Sequence, residues 1–221
     1  HVGLRGGAYM ASADEIYLTV HGRGGHAALP HMCNDAVLAS SAIIVTAQQA
    51  VSRMCPPGVA SVLSFGRVEA MGSTNVLPNS VAIQGTFRSI DEGWRDRAHE
   101  LISTMVRNTA EAHGCRADLE IRRGYPHVHN DVRLASELKI AAVDYLGVEC
   151  VHDLDIRMTA EDFSYFGNEI PGCFYRLGTA SPEKDNELGT HGLHTPNFDV
   201  DEDSLKTGAG LMAFAAATVN R

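Results

Sequence analysis

Two histidines stand in short loops that could present them to a ligand. His26 lies in "GGHAALPH", residues 24–31, and His194 lies in "LHTPNFD", residues 193–199. Glycine allows close backbone approach and positive φ, so the two glycines before His26 predict a turn that displays its imidazole. An imidazole can ligate a divalent metal ion or donate a hydrogen bond to a substrate. A histidine in a glycine turn can also simply cap a helix or face water.

An arginine and an asparagine could bind an anion. Arg88 follows Phe87 in an alternating stretch, so it faces away from the helix-covered side of a sheet if Phe87 is buried. Its planar guanidinium can bind a carboxylate through two hydrogen bonds, although it could also be an ordinary exposed strand charge. Asn75 lies in the glycine-containing stretch "GSTNVLPN" and can hydrogen-bond a carbonyl or carboxylate.

Alternation and helical periodicity predict the elements that position these residues. Apolar residues alternate in "EIYLTVH", as in a half-buried strand, and recur at three or four residues after Asn34, as in an amphipathic helix. The predicted order is β-α-β-β-α-β over residues 15–123, the ferredoxin-like split β-α-β unit. The predicted strands are 15–21, 59–68, 80–89 and 116–122, and the predicted helices are 34–54 and 89–113.

The caps and buried faces of these two helices are also predicted. Asn34 is the predicted N-cap of the first helix, and Ser89 with Glu92 has the spacing of a capping box for the second. Gly114 is expected to end the second helix. The predicted buried stripes are Val37, Ser41, Ile44, Ala47, Val51 and Met54 in the first helix, and Trp94, Ala98, Leu101, Met105, Thr109 and Ala112 in the second.

The rest of the chain, after Pro126, alternates strands with helices. Helices are predicted over about 130–146 and 203–219, with strands near 148–154 and 173–178. These few elements predict part of an α/β layer, so the fold class is α/β (α+β) with a ferredoxin-like unit.

Composition restricts the classes of function. The chain has 221 residues, 44% hydrophobic and 20% charged, and a formal net charge of −9. The negative charge argues against a nucleic-acid partner. It therefore also argues against an RNA-binding domain, although such domains have the same order of strands and helices. No apolar run is long enough for a membrane span, and no signal peptide is visible at the start. The five cysteines include no CxxC pair, which favours reduced thiols in a cytoplasmic protein.

Six motifs in order resemble one enzyme family. The chain resembles the metal-dependent amidohydrolases and peptidases that include aminoacylases, hippurate hydrolase, auxin-conjugate hydrolases and carboxypeptidase G, and within them the aminoacylase and hippurate hydrolase branch. The motifs are "GGHAALPH", "GSTNVLPN", "GTFR", "GYPHVHND", "AEDFSYF" and "GLHTPNFDVDEDSLKTGA". The resemblance implies that residues 1–13 lead from a catalytic domain into a lid, that 14–124 form a ferredoxin-like lid and dimerisation domain, and that 125–221 belong to the catalytic domain.

The resemblance also implies roles for five residues. His26 would stabilise the oxyanion formed when a metal-activated water attacks an amide carbonyl. Asn75, Arg88 and Glu161 would bind substrate, and His194 would ligate one of two zinc or manganese ions. Glu161 could instead serve the N-terminus of a helix. Its motif departs from the family, because Thr159 and Ala160 stand where two glycines are common.

Most of the family's metal ligands, as the resemblance implies, lie before the lid. The chain is therefore expected to be a C-terminal part of a hydrolase of N-acyl-amino-acid or peptide-like amides, to bind metal weakly and to be inactive alone. His1 is interpreted as an ordinary residue, and the pairs His127–His129 and His191–His194 are not expected to form an independent metal site. The resemblance further implies a homodimer through the lid. The alternative is a non-catalytic dimerisation or binding module.

Overall fold

The structure, a computed structural model, describes residues 1–180 and 191–219. The chain divides into two compact units. We call Met10–Val128 with Arg157–Tyr165 the inserted unit, and His1–Tyr9, His129–Ile156 and Phe166–Arg221 the flanking unit.

Strands and helices follow one another along the described residues. Short 3₁₀ turns occupy Pro30–Met32 and Val148–Cys150, and one π-helical turn occupies Ala50–Met54. The elements are β1 Val2–Leu4, β2 Gly7–Met10, β3 Asp14–His21, β4 Gly25–His26, α1 Ala36–Ala47, β5 Ser61–Ala70, β6 Val76–Leu77, β7 Ser80–Ser89, α2 Glu92–Ala112, β8 Arg116–Arg123, β9 Val128–Asn130, α3 Val132–Leu146, β10 Val151–Asp153, α4 Ser164–Glu169, β11 Arg176–Leu177 and α5 Asp203–Thr218.

The inserted unit contains an antiparallel sheet in the order β5-β7-β3-β8. β3 lies inside the sheet, where Leu18 is opposite Ile83 of β7 and Leu119 of β8. The predicted β-α-β-β-α-β order over residues 15–123 is present, with the two short strands β4 and β6 added. Both α1 and α2 contribute buried side chains to the core on one face of this sheet, whose fully buried members include Ile16, Leu18, Val20, Ile83, Phe87, Ile43 and Ile102.

The predicted buried stripe of α1 is correct for Ala47, which is buried, and for Ile44 and Val51, which pack against the core, but wrong for Val37, Ser41 and Met54. Val37 is 38% exposed, and the core side of the helix carries Ala36, Ala39, Ser40, Ile43 and Ala47. The helix is apolar on most of its circumference, so periodicity does not identify one face. The N-cap is Asp35, whose Oδ1 accepts the backbone N–H groups of Val37 and Leu38 at 2.9 and 3.0 Å. The predicted cap, Asn34, instead donates its side-chain amide to the carbonyl of Gly114.

The predicted cap and stripe of α2 also need correction. The N-cap is Asp91, which accepts the Trp94 N–H at 2.6 Å, and Glu92 makes ion pairs instead of closing a capping box with Ser89. Gly114 follows the helix with φ 66°, as predicted for its end. The buried residues are Trp94, Arg95, Ala98, Ile102, Val106 and Ala110.

Arg95 is on the buried stripe because it pairs with a buried carboxylate. Arg95 is 1% and Asp14 is 0% exposed, and Arg95 Nε donates to Asp14 Oδ2 at 2.9 Å. Asp14 also accepts the Gly124 N–H at 3.1 Å and lies 2.7 Å from His99 Nε2. Burial alone raises the pKa of Asp14, but the hydrogen bonds of Arg95 and His99 and the Arg95 charge lower it to about 2. The carboxylate therefore stays ionised in the core.

Glu92 extends this cluster to the chain that leaves the sheet. Its Oε2 accepts Arg95 Nη1 and Arg123 Nη2, both at 2.9 Å, and its Oε1 accepts the His127 N–H at 2.9 Å. Burial alone would raise the pKa of Glu92. The hydrogen bonds from His127, Arg95 and Arg123 outweigh this effect and hold the pKa well below its usual range.

The flanking unit contains a sheet in the order β10-β1-β11, with β1 parallel to β10 and antiparallel to β11. Val2 and Leu4 of β1 pack with Ala142 of α3 and Leu211 of α5. The buried Asn130 amide donates to the carbonyls of Arg5 and Phe174 at 2.7 and 2.9 Å. The predicted strands near 148–154 and 173–178 are present but shorter, as β10 and β11.

Two observations bear on the classes considered from composition. None of the helices in the described ranges combines the length and apolarity that crossing a bilayer requires. All five cysteines are free, as expected for reduced thiols.

The Asp14 cluster predicts acid-sensitive stability. The folded-state pKa of Asp14 is lowered, so its contribution is present above its unfolded pKa near 4 and is lost as pH falls towards 2. We expect the free energy of unfolding to fall by about 2 kcal/mol from this group over that interval. Urea unfolding followed by circular dichroism at several pH values measures it.

Two substitutions distinguish the contribution of Asp14 to stability from that of a surface carboxylate. Asp14→Asn removes the fully buried anion of Arg95 and leaves only Glu92 to pair with it, so we expect a loss of about 3 kcal/mol at pH 7 and a shallower acid limb. Asp96→Asn is the matched control, because Asp96 pairs with Arg123 at the exposed surface, and should cost less than about 1 kcal/mol. Equal effects of the two substitutions would contradict the role given to Asp14.

Candidate active site

His26 lies on the short strand β4, and Asn75 directly precedes β6, the short strand that pairs with β4. β4 pairs with β6, where Gly25 is opposite Leu77 and His26 is opposite Val76. The Ala27 N–H donates to the Asn75 carbonyl at 2.9 Å. The structure therefore brings together two of the predicted site residues that are 49 positions apart in the sequence, and both are exposed.

A backbone hydrogen bond selects the tautomer of His26. The Ala28 N–H donates to His26 Nδ1 at 3.1 Å, so Nδ1 must be the unprotonated, accepting nitrogen. In the neutral imidazole the proton is then on Nε2. His26 is exposed, so Nε2–H is a hydrogen-bond donor available to a ligand.

Close backbone packing holds the turn before His26. A Cβ on Gly24 would lie 2.2 Å from the Leu77 carbonyl oxygen, and a Cβ on Gly22 would lie 2.2 Å from that of Asn34. Only glycine permits these approaches. Gly24, one of the two glycines from which the turn is predicted, and Gly22 are therefore required by packing against two other segments.

The Asn75 side chain has one end engaged and one end available. Its Oδ1 accepts the Ser73 hydroxyl at 3.1 Å. Within residues 1–180 and 191–219 its amide nitrogen has no hydrogen-bond acceptor. This leaves a donor, on the segment whose backbone contacts Ala27, for a carbonyl or carboxylate oxygen.

Arg88 lies on the sheet face that α1 and α2 do not cover. Phe87 is fully buried in the helix-covered core, so alternation along β7 places Arg88 on the opposite face, across from Val62 of β5. Arg88 is half-buried. Among the residues that the structure describes, its guanidinium has no ion-pair partner, unlike Arg67 and Arg123. A half-buried guanidinium without an anion is suited to bind one.

Glu161 belongs to the inserted unit but is engaged locally. Its Oε1 accepts the Asp162 N–H at 3.2 Å, and its carbonyl accepts the Ser164 N–H at 3.3 Å, just before α4. These contacts place Glu161 just before α4, the position that the alternative role at a helix N-terminus requires. They leave the second carboxylate oxygen for a ligand.

His194 is displayed by a loop of the flanking unit. It is exposed and has φ 65°, in the left-handed region that non-glycine residues rarely adopt. Such conformations concentrate at functional sites because they must be stabilised by their surroundings. The loop is held by Thr195 Oγ1, which donates to the Gly192 carbonyl at 2.8 Å. The described residues include no cluster of three or more His, Cys, Asp or Glu that could hold a metal ion.

Two cysteines are poorly suited to nucleophilic catalysis. Burial, with a smaller effect of the Asp131 charge, raises the pKa of Cys173 to about 11. Burial, with the Asp35 charge, also raises the pKa of Cys115. Because the thiolate is the nucleophile, neither thiol is activated near neutral pH.

Sequence reasoning missed two contributors to the His26 turn. The Ala28 N–H selects the tautomer, and Asn79 Oδ1 accepts the Gly24 N–H at 2.9 Å. Asn79 follows Pro78 within the quoted stretch "GSTNVLPN", but its type and position alone do not reveal a partner 55 residues away.

Comparisons with known proteins agree on one family. The model of peptidase family M20/M25/M40 matches residues 5–218. N-acetyldiaminopimelate deacetylase of Exiguobacterium sibiricum is 31% identical over 205 residues, which are 92% of this chain and 52% of that protein. IAA-amino acid hydrolase ILR1-like 2 of Arabidopsis thaliana is 32% identical over 216 residues, 96% of this chain and 48% of that protein. The chain therefore spans about half the length of these relatives.

Solved structures show the same fold. A structure from methicillin-resistant Staphylococcus aureus has a TM-score of 0.83 and 26% identity, covering 97% of this chain and 54% of that one. YXEP of Bacillus subtilis, described as a dinuclear metal binding peptidase of the M20 family, has a TM-score of 0.69 and 24% identity, covering 97% and 52%. The mixed α/β fold is thus that of M20 peptidases.

The packing at Gly24 predicts a specific sensitivity to substitution. Gly24→Ala would force the His26 turn away from Leu77, and we expect it to lower the free energy of unfolding by about 1–3 kcal/mol. Gly66→Ala is the control, because a Cβ there meets nothing within 4 Å. Thermal unfolding should show a shift of several degrees for the first variant and little change for the second. Indistinguishable melting curves would argue against the close approach.

Proposed function

The chain belongs to peptidase family M20/M25/M40, and on that premise we propose that it contributes to hydrolysis of an N-acyl-amino-acid or peptide-like amide beside a free carboxylate. The observation that carries the proposal is the His26 tautomer, which leaves an exposed Nε2–H on β4. Two relatives are named as a deacetylase of an N-acetyl compound and a hydrolase of an amino acid conjugate. Both names describe cleavage of an amide next to an amino acid.

Each side chain has a role that its geometry supports. Attack of water on an amide carbonyl places negative charge on the oxygen, and the His26 Nε2–H can donate to it. The Arg88 guanidinium, lacking an anion among the described residues, can bind the substrate carboxylate with two hydrogen bonds. Asn75 can donate its amide to a second substrate oxygen. Glu161 is proposed to line the substrate pocket through its free carboxylate oxygen.

A divalent metal is proposed for the whole protein, with zinc or manganese as the candidates. When bound, it would lower the pKa of a water molecule and so supply the nucleophile. His194 would be a ligand, because its exposed imidazole stands on a constrained loop. A catalytic site needs three or four ligands, and the described residues offer no such cluster. They do not fit a complete metal site, so the steps assigned to this chain are substrate binding and oxyanion stabilisation.

The inserted unit is proposed to contain the ferredoxin-like lid, residues 14–124, which lies in the sequence between the segment 1–13 and the catalytic part 125–221. The sheet order β5-β7-β3-β8 with helices on one face supports this assignment. Its other, helix-free face carries Arg88.

Hippurate, N-benzoylglycine, tests the substrate-binding role of this chain. It carries the proposed amide and carboxylate, and we expect it to shift NMR resonances near His26, Asn75 and Arg88 in the millimolar range. Arg88→Ala should weaken binding about tenfold or more, because a charged hydrogen-bonded pair is lost. Arg107→Ala on exposed α2 is the control and should bind as the parent does. Equal binding by both variants would contradict the role of Arg88.

The same samples test the metal proposal. We expect this chain alone to show no hydrolysis of hippurate or N-acetyl-amino acids with added manganese, and no tight stoichiometric zinc binding by calorimetry. Robust turnover or tight binding would show that these residues suffice, and would contradict the proposal that other ligands are needed.

A second candidate function is dimerisation through the lid, independent of catalysis. α1 exposes Val37, Leu38 and Val45, the last two at 58% and 72%, which is a suitable apolar face for a second copy. We expect a homodimer in sedimentation equilibrium and a monomer after Leu38→Glu, with Asn108→Glu on the exposed side of α2 as a control for charge alone. A monomeric parent chain would exclude this mode.

A further inference from the structure

We propose that Asn79 is a positioning residue for His26: its side chain bridges a one-residue register shift and so fixes the strand that presents the imidazole. The functional meaning of this inference rests on the proposed function, whereas the structural claim about Asn79 does not.

The β4–β6 ladder continues the β3–β7 ladder with an offset of one residue. In β3–β7 the last pair is His21 with Ser80, whereas in β4–β6 the first pair is Gly25 with Leu77. Three residues, 22–24, therefore face two residues, 78 and 79. This is the arrangement of a β-bulge, in which the extra residue is left without a ladder partner.

Asn79 satisfies both sides of this bulge. Its backbone carbonyl accepts the Gly22 N–H at 2.8 Å, as a ladder partner would. Its side-chain Oδ1 accepts the Gly24 N–H at 2.9 Å. One residue thus supplies acceptors for Gly22 and Gly24, whereas Arg23 between them exchanges backbone hydrogen bonds with Asn34 at 3.0 and 2.9 Å. Pro78, the other residue on the short side, has no N–H to give.

The bulge is packed so closely that few other arrangements are possible. A Cβ on Gly24 would lie 2.2 Å from the Leu77 carbonyl oxygen and 2.8 Å from the Pro78 carbonyl carbon. The backbone at Gly24 is therefore pressed against the Leu77–Asn79 segment. The hydrogen bond from the Gly24 N–H to Asn79 Oδ1 holds the chain just before β4. The hydrogen bond from the Ala27 N–H to the Asn75 carbonyl holds the chain just after β4.

The position of β4 sets the position and tautomer of His26. His26 is the second residue of β4, and its Nδ1 accepts the Ala28 N–H only while the turn keeps its shape. An oxyanion donor must be held within a fraction of an ångström of its place to be effective. Loss of the Asn79 acceptor would remove the hydrogen bond between Gly24, next to β4, and the β6–β7 segment, so the Nε2–H would be less precisely held.

Amide exchange and His26 NMR test the proposal on the full chain. In Asn79→Ala we expect the Gly24 amide to exchange about fivefold to tenfold faster, the effect of losing one hydrogen bond. The His26 ring ¹⁵N shifts should move from the Nε2–H tautomer towards a mixture. Asn79→Asp keeps Oδ1 and should restore both signals. Ser80→Ala, the adjacent exposed residue, is the control and should change neither.

The outcomes are distinct from a general loss of stability. A merely structural role for Asn79 would lower the melting temperature without changing the His26 tautomer, and that result would overturn the proposal. Parent-like Gly24 exchange in Asn79→Ala, or Asn79→Asp behaving like Asn79→Ala, would also overturn it. If Asn79→Ala does not fold, the Gly24 exchange and the His26 shifts of Asn79→Asp decide, because both must match the parent.

Failure of the proposed function would be visible separately. Unchanged hippurate binding by Arg88→Ala would remove the assigned substrate site, yet Gly24 exchange would still report whether Asn79 anchors the turn. Conversely, parent-like Gly24 exchange together with impaired hippurate binding in Asn79→Ala would contradict the anchoring role of Asn79. The proposed substrate site would remain supported.

Discussion

The buried ion pair between Asp14 and Arg95 is the interaction on which the inserted unit depends. Two charges in a core are tolerated only when their hydrogen bonds are satisfied, and here Asp14 accepts from Arg95 and from the Gly124 N–H, and also pairs with His99. Asp14 begins β3 and Gly124 follows β8. The pair therefore joins the place where the chain enters the sheet to the place where it leaves, and it anchors α2 to both.

The rotation of α2 follows from this pair. With Arg95 directed into the core, the residues that follow on the same side are Ala98, Ile102, Val106 and Ala110, and these are buried. Leu101 is only half-buried for the same reason. The helices cover one face of the sheet. Side chains of β7 alternate between the two faces, so Phe87 lies in the core and Arg88 lies on the uncovered face. The position of the proposed carboxylate-binding residue is thus a consequence of core packing.

The His26 site extends from the same sheet. The β3–β7 pair continues past its last ladder partners into β4 and β6, after a bulge of one residue at Gly22–Gly24. Beyond the bulge, the β4–β6 pair holds His26 next to the strand that follows Asn75. Its cost, an extra N–H without a ladder acceptor, is offset by the Asn79 side chain. The hydrogen bonds that shape the bulge therefore also position His26.

The sequence by itself determined the features that depend on near neighbours. Alternation of Ile16, Leu18 and Val20 predicted β3, and glycines predicted the His26 turn, because side-chain period and backbone freedom are local properties. Tertiary structure decided the buried face of α1, the burial of Arg95 and the partners of Asn34 and Asn79. α1 is apolar on most sides, so only the sheet could select its face. The Arg95 and Asn79 partners lie 81 and 55 residues away, and strand register, which no local pattern encodes, brings them together.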